Sequence, residues 1–154
     1  FGAVVGIVAV RYLGLNAVIP ALSVAACWWA FTRFGLHRRL VLPLAFAGGH
    51  GVWFFIGMTM TLAIGGSAET LIEVGLETLI VAAIVAWGCI SRSRPALSVL
   101  IAYEVVSIVF NAIAWTSVDE LRPILAVHIG LRVVTIVGAA LALSRWSENA
   151  PAPD

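Results

Sequence analysis

The chain has 154 residues, 62% of them hydrophobic and only 11% charged, with a mean hydropathy of +1.06, a composition that excludes an ordinary soluble domain and fits an integral membrane protein. Nine basic and eight acidic residues leave a formal charge of +1, so there is neither a basic field for nucleic acid nor an acidic tail. A hydrocarbon core about 30 Å thick takes roughly 20 apolar residues per helical span, which allows at most about five or six spans and no soluble catalytic domain.

In chain order, residues 1–10 form an apolar stretch, followed by spans expected over 12–31, 40–64, 71–90, 96–116 and 124–143. The first stretch is either a short helix or the start of one long kinked helix, because Arg11 and Pro20 interrupt it. The expectation is an all-α polytopic membrane helix bundle of about five transmembrane helices, a single domain over residues 1–154, with 145–154 a flexible tail. Because the chain begins at Phe1 and not at Met, its start is expected to be processed or trimmed.

Alternate connections are basic. Residues 32–39 carry Arg33, His37, Arg38 and Arg39, residues 91–95 carry Arg92 and Arg94, and Arg145 follows the last span, whereas Glu69, Asp119, Glu120 and Arg122 occupy the other connections. The positive-inside rule then places the basic connections and the C-terminus on the cytoplasmic side of what is expected to be a bacterial membrane.

No Gly-rich phosphate loop, GxSxG elbow or HExxH motif is present, and Pro20, Pro43 and Pro95 do not fall at matching positions of two halves as a transporter repeat would require. Cys27 and Cys89, the two cysteines of the chain, lack metal-ligand or redox spacing and read as small core residues. No cofactor is called for, and a metal site of His50, His128 and glutamates would need a convergence that spacing does not show.

Six ionisable residues fall inside spans: His50, Glu73, Glu77, Glu104, His128 and Arg132. Each is costly there unless it faces the bundle interior, pairs or reaches water, which makes each a functional candidate. Glu73 and Glu77 are four residues apart and so share a helix face; two carboxylates that close do not both ionise easily, and the protonated one would be a general acid. Glu104 lies near the middle of its span, with Ser107 and Asn111 extending the same face, and His128 and Arg132 are again four apart, near an outer end. The group is expected either to converge on a polar cavity open to the outer leaflet or to form interhelical ties, Arg132 with Glu77 or Glu104. His50 sits in Gly48-Gly49-His50-Gly51, where neighbouring backbone approaches closely. Trp53, Phe54, Tyr103 and Trp115 place aromatic faces near these groups, and such faces stabilise cations; Trp28, Trp29, Phe31 and Phe34 read as an interfacial belt.

The stretch Pro43-Leu44-Ala45-Phe46 through His50 to Trp53, followed by Leu76-Glu77-Thr78-Leu79-Ile80-Val81 and Gly88, resembles the small integral-membrane terpene cyclases of meroterpenoid and indole-terpenoid pathways over roughly a third of the chain. In that family a Pro-Leu start leads to a polar residue and a Trp, and the next span carries a Leu-acid-x-x-Ile-Val pattern. Phe54 stands where the family commonly has an acid, and His50 where it has an amide. Many members also have seven spans. The resemblance implies a cyclase, an isomerase or lyase, that protonates a farnesyl-like prenyl chain of a lipophilic substrate within the bilayer. Glu77, Glu104, Glu73 and His128 would supply acid and base, with His50, Trp53, Phe54, Tyr103, Asn111, Trp115 and Arg132 lining the substrate. The same buried charges also suit a proton- or ion-coupled transporter or channel subunit, or an assembly subunit of a membrane complex.

Overall fold

A computed structural model of the chain describes residues 15–117 and 122–146. The stretch 1–10, the acidic connection with Asp119 and Glu120, and the tail from 147 onward lie outside the described residues. Among the described residues there are five helices and no strand: α1 Leu15–Arg33, α2 Arg38–Ala63, α3 Ala68–Ser91, α4 Arg94–Ser117 and α5 Arg122–Ser144. The expected all-α membrane bundle is what forms, with boundaries within a few residues of those read from hydropathy.

Helices α2 to α5 are each 23–26 residues long and apolar enough to cross a membrane, and α1 contributes a shorter apolar segment, Ala17–Arg33. Local sequence explains the ends. Pro95 and Pro123 stand in the first turns of α4 and α5, where a missing N–H costs nothing. The Ser67 hydroxyl accepts from the Thr70 N–H at 3.2 Å and caps α3. Gly35 and Gly65, both with φ +71°, reverse the chain after α1 and α2. Connections this short make sequence neighbours antiparallel, so Arg33, Arg38, Arg92, Arg94 and Arg145 gather at one end of the bundle.

Helix α2 is the centre, packed against α1, α3 and α5, while α3 and α4 touch each other much less. Small residues let the backbones close up. A Cβ added at Gly49 would lie 2.6 Å from the Val24 backbone of α1 and one at Gly51 would lie 3.0 Å from Val81 of α3, so the close approach expected of the glycine stretch is present. The apolar core, with Leu40, Leu44, Val81, Val85, Leu97 and Leu100, fills the basic end of the bundle. Large apolar side chains cover the outside, Ile90 being 84% exposed and Phe110 67%, which water would penalise and lipid does not.

Candidate functional site

The intramembrane charges meet at mid-depth. Arg132 lies ten residues from the start of α5 and twelve from its end, about 15 Å from the outer end at 1.5 Å per residue. Glu104 and His50 lie similarly near the middles of α4 and α2. The placement of Arg132 near an outer end is thereby corrected, whereas His128, one turn nearer the start of α5, keeps its place toward that end.

Arg132, only 1% exposed, is held between two carboxylates from different helices. Its Nη1 donates to Glu104 Oε2 at 2.8 Å and its Nη2 donates to Glu77 Oε1. Tyr103 donates its hydroxyl to the same Glu77 oxygen at 3.2 Å. The guanidinium carbon stands 5.6 Å from the Tyr103 ring centroid and 5.9 Å from that of Phe54, so aromatic faces cover it as well. One planar fork therefore ties α3, α4 and α5 together.

One turn before Arg132 on α5, His128 Nδ1 meets His50 Nε2 of α2 at 2.5 Å. Trp53 stacks on His128 with centroids 4.2 Å apart, and Phe54 lies against both imidazoles, 4.5 Å from His50 and 5.0 Å from His128. Phe54 thus has both the histidine pair and the guanidinium near its ring. Buried atoms of this cluster without a hydrogen-bond partner are His50 Nδ1, Glu104 Oε1 and Arg132 Nε.

The structure gathers Glu77, Glu104, His50, His128, Arg132, Trp53, Phe54 and Tyr103 from the sequence candidates. It does not gather the rest. Glu73 is exposed: it shares the helix face of Glu77 but lies one turn nearer the start of α3. The carboxylate that Glu77 faces across Arg132 is Glu104, not Glu73. Trp115 is engaged through its carbonyl, which accepts from Arg122 Nε at 3.3 Å, nearer the outer end. Asn111 keeps a buried, unpartnered Nδ2 of its own. Of the two arrangements expected of this group, the interhelical ties form: Arg132 is long and flat enough to reach Glu77 and Glu104 at once.

An apolar groove of about 560 Å³ lies elsewhere, between α1, α2 and α3, lined by Cys27, Phe31, Gly51, Phe55, Val81 and Ala82 among others. Neither glutamate lines it. Sequence reading missed the groove; the signal was there in Gly48, Gly51, Ala82 and Ala86, small residues that leave a furrow on facing helices. Among the described residues no group of three metal-ligating side chains is present. Compared with models of known protein families, with curated protein sequences and with solved structures, the chain finds no match.

Proposed function

We propose that the chain is a membrane-embedded acid catalyst of the terpene-cyclase kind, with Glu77 and Glu104 sharing one transferable proton. The observation that carries this reading is a charge count. One guanidinium faces two carboxylates at mid-bilayer depth, so the cluster is neutral only when one of the acids keeps a proton, and a surplus charge is costly in that medium. Glu77, with a side chain 33% exposed, is the acid a lipophilic substrate reaches; Glu104, fully buried, faces it across Arg132.

In this reading Glu77 gives its proton to an alkene carbon or epoxide oxygen of a prenyl chain that enters from the lipid. The electrons of a neighbouring double bond close the ring, and a carboxylate or His128 removes a proton from the final cation. Substrate and product are isomers, and Trp53, Phe54 and Tyr103 supply faces that stabilise a passing cation. The basic end of the bundle, with the C-terminus, lies on the cytoplasmic face of a bacterial membrane.

The test is incubation of the detergent-purified protein with a farnesylated phenol, followed by mass spectrometry for a cyclised isomer of unchanged mass. Glu77→Gln is expected to abolish product while the protein still inserts and elutes as wild type. Full product formation by both Glu77→Gln and Glu104→Gln overturns the reading. A second reading, proton-coupled transport, is favoured by the His50–His128 bond, which extends the polar cluster by a turn toward the outer face. It requires dye-reported proton flux in proteoliposomes that Glu77→Gln eliminates.

A further inference from the structure

The arginines at the basic end do more than mark topology. Two cavities adjoin there and share Arg39. One, of about 220 Å³, has Trp28, Arg38 and Arg145 at its rim and Leu42 and Gly138 on its floor. The other, of about 330 Å³, is lined by His37, Leu40, Arg92 and Trp146 as well as Arg39. The guanidinium of Arg39 donates through Nη1 to the Arg145 carbonyl at 2.9 Å, which fixes the partition between them. The cationic side chains come from the starts of α2 and the ends of α3 and α5, so the chain folds three separated segments onto one spot.

The shape of the first cavity is amphipathic along the membrane normal. Its guanidinium rim stands at the helix ends, and its floor descends one turn into the apolar core, where Gly138 offers no side chain and Leu42 and Pro43 of α2 close against it. A soluble anion uses the rim but has no use for the floor. A phospholipid fits both, with its phosphodiester among the guanidiniums and an acyl chain along Leu42 and Gly138. Tryptophan belongs at such a boundary, where its ring is half in hydrocarbon and its N–H reaches polar groups.

We propose that this double cavity is a binding site for the anionic headgroup of a membrane phospholipid, independent of the chemistry at Arg132. Each guanidinium near an anionic lipid surface contributes about fivefold in affinity. The probe is phosphatidylglycerol, against phosphatidylcholine of the same acyl chains in equimolar mixed micelles, with lipid retained on the protein read by native mass spectrometry. Phosphatidylglycerol is expected to be retained preferentially. Arg38→Gln combined with Arg92→Gln is expected to reduce that preference by roughly 25-fold, with Arg38→Lys and Arg92→Lys keeping most of it and Arg122→Gln, at the opposite end of the bundle, leaving it unchanged. Equal retention of the two lipids in the wild type overturns the proposal. So does an equal loss in Arg122→Gln, or stripping of the bound lipid by millimolar inorganic phosphate.

Discussion

Arg132 is the residue on which the interior depends. Its two ionic bonds reach α3 and α4 from α5, and α3 and α4 have little direct packing to replace them. Arg132→Leu leaves two carboxylates in hydrocarbon without a counter-charge, and removing one partner of a buried ion pair costs about 3–5 kcal/mol. The expected result is a matching loss in thermal unfolding of the detergent-solubilised protein. The triple variant Arg132→Met, Glu77→Leu, Glu104→Leu removes charge and counter-charge together and is expected to recover most of the loss, because well-packed apolar substitutes for a buried triad are often neutral. A stable triple variant without the proposed activity would separate the cluster's structural contribution from its chemistry. The histidine pair is a smaller tie: a double-mutant cycle on His50→Ala and His128→Ala is expected to give a coupling of about 0.5–2 kcal/mol, the range of interhelical hydrogen bonds in membranes.

At the scale of elements, the position of α1 is set by absence of side-chain bulk on α2. The Val24 backbone lies where a Cβ of residue 49 would be, at 2.6 Å, so Gly49→Ala cannot be accommodated by a rotamer change and must push the helices apart. The expected cost is about 1–3 kcal/mol, read as a lowered unfolding temperature. Gly57→Ala on the same helix meets nothing within 4 Å and is expected to change stability by less than about 1 kcal/mol, in the stabilising direction if any. The contrast isolates packing from helix propensity, since both substitutions make the same change within a helix interior.

For the whole molecule, short connections and alternating basic ends fix an up-and-down bundle whose core is apolar toward the basic end and polar at mid-depth. In a background lacking Cys27 and Cys89, Gly35→Cys and Ser93→Cys are expected to be labelled by a membrane-impermeant thiol reagent from one side, and Ser67→Cys from the other. Labelling of Gly35→Cys and Ser67→Cys from the same side contradicts the topology. The apolar groove between α1, α2 and α3 and the amphipathic cavities at the basic end lie on different parts of this surface, so occupancy of one does not require occupancy of the other.

Hydropathy alone determined the fold class and, among the described residues, the helix count, because a run of about 20 apolar residues has few other ways to satisfy its backbone. Helical spacing also foretold that Glu77 and Arg132 have inward business, and it named Arg132 with Glu77 or Glu104 as one outcome. What periodicity along single helices cannot supply is the rotation and depth of one helix against another. That relative placement left Glu73 exposed while Glu77 met Arg132, set His128 against His50, laid Phe54 against His128, and made Arg132 the tie between two acids. The hydrogen bonds among them join residues 28 to 78 positions apart in the chain, and the packing of α5 onto α2 and α4 decides them.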